Sequence, residues 1–105
     1  MHRGEVWWAN LPPPAGRRPV LLLTRERGIQ VRNAVTVAKV TTTIRGIPTE
    51  VKIGTGDGMP KACVVNADVL ETIPKVLLDG RLCMLTAEKL AAVERAVRFA
   101  LDLGG

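Results

Sequence analysis

Pro19-Val20-Leu21-Leu22-Leu23-Thr24 is an unbroken apolar run opened by a proline. It does not alternate with polar residues, so it predicts a strand buried on both faces, and proline is acceptable at a first strand position. Upstream, Leu11 to Gly16 holds three prolines and a glycine and must be a loop. Before that loop, Glu5 to Asn10 carries two tryptophans and a valine, good strand material. Downstream, Arg25 to Asn33 is polar around Gly28 and is expected to be a loop without regular structure. Ala34 to Val40 reads as a strand, Thr41 to Ile47 as a polar turn and Thr49 to Ile53 as a further strand. Gly54 to Gly58 reads as a bend, and a short strand is expected near Cys63 to Val65.

The C-terminal stretch changes period. Thr86 is a suitable N-cap, and Leu90, Val93, Val97, Ala100 and Leu101 behind it recur at helical spacing. Gly104 is the expected left-handed stop. Many short strands and one closing helix in 105 residues predict a mainly β fold with helices, of the α+β class. The shape expected is a small curved barrel, one domain over 1–105, with the helix covering its open side.

Charge is unevenly distributed. Residues 1–61 hold ten Lys and Arg against four acids, a net of +6, whereas residues 62–105 hold five against six, a net of −1. Such asymmetry suits a first part that faces a polyanion. No apolar run approaches the ~20 residues of a membrane span and the N-terminus lacks a signal-peptide pattern, so a soluble cytoplasmic protein is expected. Cys63 and Cys83 sit among valines and leucines without C-x-x-C spacing and read as buried free thiols. His2 is the only histidine, which leaves a zinc site short of ligands and rules out a histidine pair within one chain. No metal and no cofactor are expected.

Three features stand out as sites of chemistry. In Gly16-Arg17-Arg18-Pro19 the proline forces Arg18 into extended geometry against a rigid strand, where a guanidinium can grip a phosphate by two bonds. In Thr41-Thr42-Thr43-Ile44-Arg45-Gly46, hydroxyls and a cation gather directly after a strand, as in a phosphate or oxyanion cradle. Trp7 and Trp8, being adjacent in a strand, point to opposite faces; the core or a dimer interface is the expected place for them.

Taken together, the chain resembles the MazF/PemK family of toxin endoribonucleases. The resemblance runs through Arg3-Gly4-Glu5-Val6-Trp7-Trp8, Arg17-Arg18-Pro19-Val20-Leu21 and the stretch from Val40-Thr41-Thr42-Thr43 to Pro48-Thr49-Glu50-Val51. It continues in Val64-Val65-Asn66-Ala67-Asp68, Thr72-Ile73-Pro74-Lys75 and the closing helix, and so spans essentially the whole chain. It implies an SH3-like barrel of the PemK/CcdB type, a homodimer, and metal-independent, sequence-specific cutting of single-stranded RNA. By position it makes Arg18 and Thr41 catalytic, with Arg17, Thr42, Thr43 and Arg45 as RNA-binding neighbours. The chemistry implied is attack of a ribose 2′-hydroxyl on the adjacent phosphate, leaving 2′,3′-cyclic phosphate and 5′-hydroxyl ends. A cognate antitoxin with an acidic, flexible tail is the implied partner.

The chain also departs from the family pattern. Leu11 to Gly16 is short, Asn10 stands where an aspartate is frequent, and Cys63 stands where a serine is common. The first two changes lie near the expected RNA groove, so no cleavage motif carries over. Two rivals stay open: a CcdB-like toxin that binds gyrase and cuts nothing, and a non-catalytic RNA-binding barrel.

Overall fold

The computed structural model describes residues 1–104; Gly105, the last residue of the expected 1–105 domain, lies outside them. The element order is β1 (Glu5–Asn10), β2 (Arg17–Leu22), α1 (Glu26–Val31), β3 (Ala34–Thr41), β4 (Glu50–Ile53), β5 (Cys63–Pro74), β6 (Leu78–Met84) and α2 (Ala87–Ala100). All strands belong to one antiparallel sheet in the order β4-β5-β3-β2-β1-β6.

The apolar run is the spine of this sheet. Val20, Leu21 and Leu22 are all buried, because β2 sits between β1 and β3 with a core on each face. Leu21 joins Val6, Ala38, Val40 and Val65 in one core cluster, while Val20 and Leu22 join Ile29, Val35, Val37 and Ile73 in the other. Ile53 from one edge strand and Cys83 from the other share the first cluster. The sheet therefore curls until its edges approach, the half-barrel form of the expected architecture, and α2 packs on β4 and β5.

Several elements differ from expectation. β2 begins at Arg17 and ends at Leu22, so both arginines stand inside the ladder with β1. Residues 25–33 are not an irregular loop: α1 buries Ile29, and Glu26 at its start accepts bonds from the Arg3 N–H (2.9 Å) and the Gln30 amide (3.1 Å). A six-residue helix offers too few turns to display a period, which hid it. The short strand near Cys63–Val65 is the start of the twelve-residue β5, which continues through a bulge. The register against β3 jumps from Lys39↔Asn66 to Ala38↔Leu70, so Asn66 borders the bulge and Asp68 lies in it. β6 was not foreseen. At the C-terminus Asp102 (φ 55°), not Gly104, takes the left-handed position, and Leu101 lies beyond the helix, half exposed. Thr86 caps α2 as expected, its Oγ1 accepting from the Lys89 N–H at 3.2 Å.

Glu5 ties the N-terminal strand to β6. Burial pushes its carboxyl upward, but bonds from the Trp7 indole (3.1 Å) and the His2 N–H (2.7 Å), with Arg81 at 3.0 Å, hold it below the usual carboxylate range. A depressed folded-state value adds stability above the ordinary carboxylate pKa, and that contribution is lost as pH falls through the folded value. Arg81 is half exposed, so solvent weakens the ion pair and the hydrogen bonds carry most of the effect. Glu5→Gln is expected to cost about 1.5–3 kcal/mol in urea unfolding at pH 7. The gap to wild type should close in acid, and a gap independent of pH would contradict this account.

Candidate active site

β1 and β2 form a hairpin whose ladder pairs Trp8 with Pro19, Ala9 with Arg18 and Asn10 with Arg17. β3 flanks β2 on the other side, with Val20 opposite Lys39 and Leu21 opposite Ala38. Carried two residues further, this register sets Arg18 abreast of Thr41, the last residue of β3. Directly opposed residues of an antiparallel pair lie on the same face, within reach of one another. The sheet thus brings two positions 23 apart in sequence to the same end of adjacent strands.

Both border a groove of about 310 Å³. Trp8, Pro19 and Leu82 give it apolar walls, Val40, Met59 and Cys63 are its buried lining residues, and Arg17, Arg18, Thr41, Thr42 and Lys61 supply its polar groups. Three cations line it and no acid does. Across Arg18 lies a smaller hollow of about 220 Å³, where Lys39 is offset by Glu71 and no threonine contributes. Of the two hollows beside Arg18, the one with Thr41 joins cations to a hydroxyl.

The polar groups differ in commitment. Arg18 is exposed, and its Nε donates to the Ala15 carbonyl at 2.9 Å, which fixes the guanidinium at one end. Among the described residues its remaining N–H groups have no protein acceptor, so the outer fork is open to a ligand. Thr41 Oγ1 accepts from the Thr43 N–H at 3.2 Å; with that lone pair used, the hydroxyl proton is left to donate. Arg17 is already engaged, with Asp79 Oδ2 at 2.9 Å, Asn10 Oδ1 at 3.0 Å and the Trp8 ring centroid 5.0 Å from its Cζ. A cation over that ring face makes a cation–π contact.

Thr42 lines the groove, but Thr43 enters only through its backbone N–H, and Arg45 does not line it. The Arg45 and Gly46 N–H groups both donate to Glu50 Oε1 at 2.9 Å, which fastens the turn after Thr41 to β4. Trp8 is half-buried against the groove, whereas Trp7 packs on the second core cluster; the two do point to opposite faces. Lys61 has no signature in the sequence, because a lone lysine after Met59-Pro60 carries no local signal. Its place next to the groove depends on how β5 begins.

The two thiols are buried and free. Burial pushes both Cys63 and Cys83 up, helped by the charge of Asp57, which disfavours the reactive thiolate. Among the described residues, no group of three or more His, Cys, Asp or Glu gathers where it could share a metal ion. No helix among them is long and apolar enough to cross a membrane.

Residues 2–101 match the family described as "PemK-like, MazF-like toxin of type II toxin-antitoxin system". The chain is 39% identical over 101 residues to the "Probable endoribonuclease MazF5" of Mycobacterium tuberculosis strain H37Rv, covering 95% of this chain and 92% of that protein. The fold is similar to that of the Mycobacterium tuberculosis toxin MazF-mt6, with a TM-score of 0.88 and 37% identity over 96% of this chain and 99% of the other. It is equally similar, at TM-score 0.88 and 30% identity, to a mycobacterial endoribonuclease solved with its cognate antitoxin, covering 100% of this chain and 98% of that one.

Proposed function

This chain belongs to the PemK-like, MazF-like family of type II toxins, and from that premise we propose that it is an endoribonuclease toxin whose active site is the groove between Arg18, Thr41 and Trp8. The observation that carries the assignment is that Arg18 and Thr41 line one groove whose charged lining residues are all cations. The wide match to proteins named as endoribonucleases, at 39% identity over 95% of the chain, supports the reaction class.

The substrate is single-stranded RNA. Its 2′-hydroxyl attacks the adjacent phosphate, the P–O bond to the next nucleoside's 5′ oxygen breaks, and 2′,3′-cyclic phosphate and 5′-hydroxyl ends result. Arg18 offsets the charge growing on the phosphoryl oxygens; being always protonated, it suits that role and not that of a general base. The Thr41 hydroxyl donates a hydrogen bond to a non-bridging oxygen and keeps its proton. Trp8 presents an aromatic face beside the cleaved phosphate, suited to stacking on a base. DNA, which lacks the nucleophile, is left intact.

A cognate antitoxin solved with a mycobacterial relative supports an antitoxin as partner here. An acidic, flexible tail is the complement of a groove lined by Arg17, Arg18 and Lys61. The toxin unit spans 1–105 as one domain, acts in the cytoplasm and works as a homodimer. The exposed Val31, Val76 and Phe99 supply apolar surface for that association.

Two measurements test this reading. Pure protein incubated with a long single-stranded RNA in EDTA should give discrete fragments with 5′-hydroxyl ends and leave the matching DNA whole. Intact RNA from folded protein, across several unrelated sequences, would sink the nuclease reading; a supercoiling assay then tests for a gyrase poison. Thr41→Val, which keeps the shape and removes the donor, should slow cleavage about 100-fold, the scale of one lost transition-state hydrogen bond. An unchanged rate would take Thr41 out of the chemistry.

A further inference from the structure

We infer that Lys61 grips a phosphate of the RNA other than the one that is cut, and so sets how the strand lies along the groove. The inference rests on the proposed ribonuclease reading and deepens it. Of the three cations lining the groove, Arg17 is tied to Asp79 and Asn10, and Arg18 stands abreast of Thr41. Lys61 is exposed, and among the described residues it makes no hydrogen bond or ion pair. The acid on the preceding turn, Asp57, is already occupied: it accepts the Gly54 N–H at 2.9 Å and lies 4.0 Å from Lys89.

The lysine stands on a rigid base. Met59 is 5% exposed in the core and its N–H bonds to the Gly54 carbonyl at 3.1 Å. Pro60 fixes the next backbone angle, and Cys63, 3% exposed, begins β5. Only the side chain of Lys61 must be ordered when a phosphate arrives.

Its position separates it from the reacting phosphate. Thr41, which ends β3, pairs with Val64, so Lys61 lies past the end of β3, whereas Arg18 stands on β2, on the other side of β3. Arg18, on β2, and Lys61, on the segment leading into β5, thus line one groove from different parts of the sheet. An ammonium is a compact charge with no demand for planar geometry, which suits a phosphate that must be held without being oriented for reaction.

The test compares wild type, Lys61→Gln and Lys61→Arg. An RNA that the wild type cuts is used for kinetics, and the same sequence with 2′-O-methyl riboses, which cannot react, for binding across a range of salt. Neutralising one phosphate contact on a single strand changes the slope of log affinity against log salt by about 0.7, or about fivefold in affinity at 0.1 M salt. Lys61→Gln should lose that amount, with the loss in turnover falling on KM and not on kcat, while Lys61→Arg should keep the slope. A Lys61→Gln slope equal to wild type, or a Lys61→Arg loss as large as that of Lys61→Gln, overturns the assignment. A fall in kcat at constant KM overturns it too, moving Lys61 to the reacting phosphate. Wild type that binds the probe but cuts no RNA ends the nuclease reading and leaves the salt slope to judge Lys61. Wild type that does neither ends both.

Discussion

Replacing Arg18 with alanine is expected to leave a folded protein that cuts RNA about 10²–10³ times more slowly, the cost of one preorganised donor facing a developing negative charge. The fold should not notice. The side chain is exposed, its single protein bond is the one to the Ala15 carbonyl, and the ladder to Ala9 uses only backbone. The rate should notice, because the fork left open beyond that bond is already held at one end before substrate binds. Arg18→Lys keeps the charge but loses the planar fork, so it should recover only a small part of the rate. Arg17→Ala provides the contrast. That guanidinium is spent on Asp79, Asn10 and the face of Trp8, so its loss should disturb the groove wall and weaken binding more than chemistry. Single-turnover cleavage with excess enzyme separates these cases, since binding no longer limits the rate. An Arg18→Ala protein that cuts within a few-fold of wild type under those conditions would remove Arg18 from the reaction.

The contrast also shows what could be read from the chain. Arg18 was legible because the signal is local: a proline dictates the geometry of the residue before it, and an apolar run behind it announces rigidity. Thr41 was legible only as a hydroxyl at a strand end; what brings it to Arg18 is a register across two strands. Lys61 had no local signal at all, and Trp8 could not be told from Trp7 until the faces of β1 were known. The same division holds for the fold. The strand at 17–22 and the helix from Ala87 declare themselves by run and period. β6 does not, because Leu78-Asp79-Gly80-Arg81-Leu82 mixes charge and glycine on an edge with little to bury. The second half of β5 was hidden by Asn66 and Asp68. These residues ordinarily end strands, but here they make a bulge, fastened by Asp68 N–H to Asn66 Oδ1 at 2.9 Å and by Thr49 Oγ1 to Asp68 Oδ2 at 2.6 Å.

Gly58→Ala should be among the most destabilising single-methyl changes in the molecule, about 2–5 kcal/mol when backbone strain and overpacking are combined. Gly58 ends the short 3-10 turn Thr55–Asp57 at φ 97°, a conformation that L side chains rarely adopt. A Cβ there would also lie 2.8 Å from Cys83 Cβ on β6, closer than real Cβ contacts come. This is where the two edges of the curled sheet meet, through Met59 and Cys83, whose sulfur atoms are 3.5 Å apart. Neither partner can swing aside, because one is backbone at a turn and the other is anchored to a strand. Cys83→Ala should therefore give no relief in the double variant, since it keeps the atom that clashes. Gly56→Ala is the control: its Cβ would meet nothing within 4 Å and no unusual φ is required, so stability should hold or rise slightly. Urea unfolding of the four proteins decides the matter. If Gly58→Ala unfolds at the same midpoint as Gly56→Ala, the edges are not held at this contact. If it unfolds several kcal/mol earlier, the contact that closes the sheet is also the footing on which Met59, Pro60 and Lys61 stand beside the groove.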